Sequence, residues 1–141
     1  MFRMEYAVNQ DMPFWKSMDR HLPEPELLLK INEKRCYIIR DDDLPIGIAR
    51  YNLFWDLIPF LTLIFIDEPY REKGFGSRAM TQWENEMRSL GHKLVMTSTM
   101  VEETSQHFYR KLGYRDCGCL IKPFPPFEET MEMFFMKQIS G

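Results

Sequence analysis

An apolar run, Leu61 to Ile66, is followed within a few residues by Arg71-Glu72-Lys73-Gly74-Phe75-Gly76-Ser77 and then by a segment with helical patterning. No other stretch limits the fold as tightly. A strand that turns through glycines into a helix leaves the first N–H groups of that helix unpaired and pointing outward, where the helix dipole adds to them. Glycine supplies the positive φ and the close backbone approach that such a turn needs. With Arg71 and Lys73 beside it, the turn predicts an anion site suited to a pyrophosphate. Two nucleotide motifs are excluded. Only two glycines fall in the dinucleotide-binding register, and Gly76 is followed by Ser77 where a P-loop needs Lys.

The flanking chain reads as a mixed α/β (α+β) sheet. Phe2 to Val8 alternates apolar and polar residues like a first strand. A helix starts at Asp11 with Phe14, Trp15, Met18 and Leu22 on one face; Pro23 and Pro25 break it, and Glu26 to Asn32 forms a second. Cys36 to Arg40, Ile46 to Phe54 and Phe60 to Ile66 are strands, the last two joined by a turn ending at Pro59. After the glycine turn, Met80, Trp83, Met87 and Leu90 make a helical stripe that Gly91 caps. Leu94 to Met100 is a strand and Ser105 to Leu112 a short helix ended by Gly113. Tyr114 to Ile121 and Glu132 to Ile139 are closing strands. Without an internal repeat or a linker, residues 1–141 are expected to form a single domain.

Arg71-x-x-Gly74-x-Gly76 after an apolar strand resembles the Gln/Arg-x-x-Gly-x-Gly/Ala signature of the GNAT superfamily of acyl-CoA N-acyltransferases. A second segment, Ser105 to Tyr114 with Phe108-Tyr109 and Gly113-Tyr114, is similar to that family's Ala-x-x-Phe-Tyr-x-x-x-Gly-Phe segment. The resemblance implies a central, mostly antiparallel sheet with helices on both faces and acetyl-CoA as co-substrate, with no metal. It implies that the backbone of Ile64, Phe65 and Ile66 holds the pantetheine arm and the thioester carbonyl. Arg71, Glu72, Lys73, Gly74, Phe75, Gly76 and Ser77 would surround the pyrophosphate, and Tyr109 would protonate the departing thiolate. The implied reaction is direct transfer of an acetyl group to a primary amine, carried by a small molecule or a peptide.

The positions where many relatives carry a base are Phe60 and Thr62, and neither can accept a proton. Asp56, Asp67, Glu102 and Glu103 are the remaining candidates, together with a water chain. The missing base also makes a CoA-binding regulator or assembly subunit without turnover the alternative reading. In the family's arrangement the turn with Trp55 and Asp56 and the segment with Phe124, Phe127, Glu128 and Glu129 border the acceptor side, implying a cationic amine held by acidic and aromatic groups.

A net charge of −3 without a basic stripe predicts no nucleic-acid partner. No apolar run approaches the roughly 18 residues of a membrane span, and Met1 to Glu5 lacks a signal core, so a cytoplasmic location without a membrane partner is expected. Cys36, Cys117 and Cys119 read as reduced thiols lining the core, and His21, His92 and His107 make no ligand-spaced pair. The proline-rich aromatic segment before the last strand is a candidate homodimer surface.

Overall fold

The computed structural model describes residues 1–128 and 131–140. In chain order the elements are β1 (Phe2–Tyr6), α1 (Met12–Met18), α2 (Glu24–Glu33), β2 (Cys36–Asp41), β3 (Leu44–Phe54) and β4 (Ile58–Ile66), then α3 (Phe75–Ser89), β5 (Leu94–Met100), α4 (Ser105–Lys111), β6 (Arg115–Leu120) and β7 (Glu132–Gln138). Single 3₁₀ turns precede α1 and follow β4. The strands are ordered β1-β2-β3-β4-β5-β7-β6. β4 and β5 pair in parallel, whereas β1 with β2, β2 with β3, β5 with β7 and β6 with β7 pair antiparallel.

Several expected boundaries shift. Leu22 lies beyond the end of α1. Val8 leaves the first strand to precede the 3₁₀ turn. Pro25 lies inside the first turn of α2, where the missing N–H costs no helical bond. Pro59 is buried inside β4 and does not end the preceding turn.

The packing divides into two compact units, Met1–Asn52 with Thr62–Glu86, and Leu53–Leu61 with Met87–Gly141. β4 and α3 each contribute residues to both.

In the first unit, strand alternation sends successive side chains to opposite faces, and both faces carry helices. Cys36, Ile38 and Ile48 join Ala7, Trp15 of α1 and Leu27 of α2 in one buried cluster, against which Leu63 and Phe65 pack. Arg50, on that same face, donates from Nε to Asp19 Oδ2 at 2.9 Å, and Trp15 Nε1 donates to the same oxygen at 3.2 Å. The other Asp19 oxygen accepts from the backbone N–H of His21 and Leu22. A buried carboxylate is tolerable only with this degree of pairing. On the opposite face Tyr37 stacks on Tyr51, and Tyr51 packs at 5.8 Å on Trp83 of α3. Met80, Trp83 and Met87 are buried as their spacing requires, but Leu90 lies beyond the helix end and is 60% exposed.

In the second unit, β7 lies between β5 and β6 and aligns Met96 with Met136, Thr97 with Phe135 and Ser98 with Phe134. Thr97 and Phe135 share the face on which Tyr109 of α4 packs, its ring 5.9 Å from Phe135. Met96, Ser98, Phe134 and Met136 face the other way. β6 is the edge strand, and all six of its residues are exposed. Cys36 is buried as expected, but Cys117 and Cys119 are exposed on this edge and do not line the core. A β-bulge between Asp116 and Gly118 takes Cys117 out of register with β7.

Candidate active site

The turn after β4 has the geometry that its glycines predict. Gly74 adopts φ +85°, and a Cβ built there would meet nothing within 4 Å, so the space beside it is open for a ligand. The first helical bond of α3 runs from Arg78 N to Gly74 O at 3.1 Å. Helix geometry therefore leaves the N–H groups of Phe75, Gly76 and Ser77 without a carbonyl one turn behind them. Arg71, Glu72, Lys73, Gly74 and Ser77 are exposed, and Phe75 and Gly76 are half-buried.

Two contacts fix the turn against the strand that leads into it. Arg71 Nε donates to Ile66 O at 2.8 Å, and its guanidinium lies 5.1 Å from the Phe65 ring. Lys73 holds its ammonium 5.8 Å from the Tyr70 ring. Glu72 takes φ 62°, so an ordinary residue accepts a left-handed backbone next to Gly74. An exposed turn with aligned amides and two cations has the donor chemistry that a diphosphate needs.

Tyr109 is 6% exposed. Burial raises its phenol pKa, with a hydrogen bond to Thr97 opposing the shift and the charges of Glu103 and Glu132 adding to it. Thr97 in turn donates from Oγ1 to Leu61 O at 3.0 Å, beside the ladder position where Leu61 and Thr97 pair. The phenol is thus tied to the start of the β4–β5 ladder and stays protonated at neutral pH.

The four candidate bases have different surroundings. Asp67 caps the 3₁₀ turn, its Oδ1 accepting from Glu68 N at 3.0 Å. Glu103 accepts from Thr99 Oγ1 at 3.0 Å. Asp56 and Glu102 are exposed, Asp56 in the β3–β4 turn at φ 61°. Glu132, which the sequence did not single out, is half-buried, accepts from Ser98 Oγ at 2.6 Å and has Lys122 Nζ at 3.6 Å. Ser98 follows Thr97, so Glu132 and Tyr109 engage neighbouring residues of β5 from opposite faces. Period-2 alternation of Glu132 with Phe134 and Met136 was the only sequence signal for this placement.

Trp55, expected at the acceptor side, is 77% exposed and borders a cavity of about 460 Å³ in the second unit. Phe124, Phe127 and Glu128 are exposed and not among its lining residues, while Glu129 lies outside the described residues. Among the described residues no helix is long and apolar enough to cross a membrane, and no three of His, Cys, Asp and Glu cluster as metal ligands.

A sequence profile of the acetyltransferase (GNAT) family matches residues 4–114. Solved structures with the same fold include the ribosomal-protein-S18-alanine N-acetyltransferase of Escherichia coli, with TM-score 0.79 and 15% identity over 100% of this chain and 96% of that one. Ard1 of Thermoplasma volcanium superposes with TM-score 0.84 at 13% identity, covering 99% of each chain. Naa50 of Arabidopsis thaliana, in complex with the bisubstrate analogue CoA-Ac-MVNAL, gives TM-score 0.80 at 12% identity, over 97% of this chain and 98% of that one. No curated protein matches the sequence. A family match across most of the chain, over a sheet and a glycine turn of this form, places the protein in the acetyltransferase (GNAT) family.

Proposed function

We propose that the protein transfers an acetyl group from acetyl-CoA to a primary amine by direct attack. The observation that carries this reading is the turn at Gly74. It has an open left-handed glycine, unpaired α3 amides and two cations, and Arg71 fastens it to the strand that the family uses for the acyl-CoA arm. Arg71 to Ser77 would hold the pyrophosphate. The backbone of Ile64, Phe65 and Ile66 would hold the pantetheine and steady the carbonyl oxygen as it becomes an oxyanion.

As the neutral amine nitrogen bonds to the acetyl carbon, the carbon–sulfur bond breaks. Tyr109 gives its phenolic proton to the sulfur, and the nitrogen releases its own proton to a carboxylate or to water. A phenol kept neutral by burial is loaded for that step at any pH below its raised pKa. The structural neighbours that act on a protein or carry a peptide-like analogue support a peptide amine as one acceptor class. We further propose one functional domain over residues 1–141 and a cytoplasmic location, which suits three unpaired thiols.

The test is CoA release in the presence of acetyl-CoA and a panel of primary amines. Release that depends on the amine supports the reading. Acetyl-CoA binding without release for any amine would instead support a regulator that has lost turnover.

A further inference from the structure

We infer that the acceptor is a primary amine carrying an apolar group, bound with its ammonium on Glu132 and its apolar part in the cavity beside Trp55. The inference rests on the acetyl-transfer reading and names the substrate class for it.

The cavity holds about 460 Å³ and is lined by Phe54, Trp55, Ile58, Met96, Phe134 and Met136, with Cys117 to Leu120 of β6 along one side. Among the described residues, no ionisable group other than the two thiols borders it. That volume falls in the usual range for a small-molecule site, and the lining is as apolar as such sites are. Methionine side chains adapt to the shape of what they enclose. A polyamine or an aminoglycoside would lose hydrogen bonds to water here and find no charged side chain among the described lining residues.

The charge lies at one end. Glu132 precedes Phe134 by two residues on the same face of β7, and on β6 it pairs with Leu120, which also lines the cavity. At ~3.3 Å per residue, Phe134 and Met136 lie about 7 and 13 Å along the strand from Glu132. Ser98 and Lys122 each engage one oxygen of the carboxylate, so Glu132 is held in place. A carboxylate has about four acceptor sites, and those left over suit an ammonium. Glu132 also meets β5 one residue from the contact of Tyr109, so an amine seated there arrives on the face opposite the proposed proton donor. Carboxylate first and apolar cavity next along one strand complement an amine with an aliphatic or aromatic tail. A free alkylamine and a peptide beginning with an apolar residue share that chemistry.

The test compares ethylamine, hexylamine, phenethylamine and spermidine with tripeptides beginning in Leu or Ser, by CoA release. Ethylamine and hexylamine differ only in tail length, so their ratio isolates the cavity. Each buried methylene is worth about fourfold, so kcat/KM should favour hexylamine over ethylamine by roughly tenfold if about two of its four extra methylenes are buried and by roughly 250-fold if all four are. A larger gain for the Leu over the Ser peptide would mark the peptide source, and a gain confined to alkylamines the free amine. Trp55→Ala should shrink the hexylamine-to-ethylamine ratio, and Glu132→Gln should raise acceptor KM more than acetyl-CoA KM.

Trp15 and Trp83 are 1% exposed and Trp55 is 77% exposed, so a blue shift of tryptophan emission on adding hexylamine reports cavity binding without turnover. Equal or better use of ethylamine or spermidine, or no shift with hexylamine, overturns the inference while acetyl transfer stands. Absence of CoA release with every amine overturns the reading beneath it.

Discussion

Gly47 of β3 lies so close to Phe65 of β4 that a Cβ at position 47 would sit 2.6 Å from the Phe65 carbonyl oxygen and 2.9 Å from Ile66 Cδ1. The first of these neighbours is backbone and cannot swing aside. The same approach lets Asp67 N donate to Ile46 O at 2.7 Å. Gly47→Ala must therefore push back the end of β4, from which Arg71 and the glycine turn hang. Overpacking of this kind costs about 1 to 3 kcal/mol. Chemical denaturation should show that loss, and acetyl-CoA affinity should fall with it. An unchanged midpoint and affinity would mean that β4 shifts freely there.

Gly76→Asp places a carboxylate on the second residue of α3, among the amides proposed to receive the pyrophosphate. Acetyl-CoA binding by calorimetry should be lost while circular dichroism remains that of the folded protein. An Asp in the first turn of a helix favours the dipole, so the variant should fold. Retained affinity in the folded variant would remove the turn from the binding site.

Tyr109→Phe removes the hydroxyl that reaches Thr97, while Thr97 keeps its bond to Leu61 O. One neutral hydrogen bond is worth about 1 kcal/mol of stability. If the phenol is the proton donor, kcat should fall about 100- to 10,000-fold, with acetyl-CoA affinity changing much less. Burial raises the Tyr109 pKa above its ordinary 10.0, so this group adds no ionisation to the rate profile at neutral pH. A kcat equal to that of the parent protein would reduce Tyr109 to a packing residue.

Glu86 accepts from both Tyr6, at 2.5 Å, and Tyr37. Tyr6 is pushed up to about 12, chiefly by the hydrogen bond to Glu86, and Tyr37 is raised chiefly by burial. A folded pKa above the unfolded value gives stability that is complete below pH 10 and lost as pH rises towards the folded pKa. Stability should therefore drop between pH 10 and 12 as unfolding releases these phenols to ionise. Glu86→Gln should move the Tyr6 step in an ultraviolet titration back towards 10. A titration identical to that of the parent protein would refute the coupling.

Exposure separates the three thiols. A thiol-reactive aromatic disulfide should label Cys117 and Cys119 rapidly in the folded protein. Cys36 is 0% exposed and pushed up to about 12 by burial, and it should react only on unfolding. Three equally fast thiols would contradict the placement of β2 in the core.

What the sequence determined lies close together along the chain. Helical spacing of Met80, Trp83 and Met87 is written within eight residues, and the left-handed Gly74 within one. Both were legible because a helix repeat and a backbone dihedral depend on nearest neighbours. The turn residues Arg71 to Ser77 and the Phe108-Tyr109 pair were legible for the same reason. Leu90 was misjudged because the stripe ran one residue past the C-terminal end of α3. Only the tertiary structure decided that β7 enters between β5 and β6, since pairing partners distant in sequence leave no local trace. That insertion brings Glu132 to Ser98, 34 residues away, and puts Cys117 and Cys119 on an open edge, where their alternating pattern alone read as buried. It also decided that Gly47 is a point of strand contact, because a glycine inside a strand states that space is needed without saying which neighbour needs it.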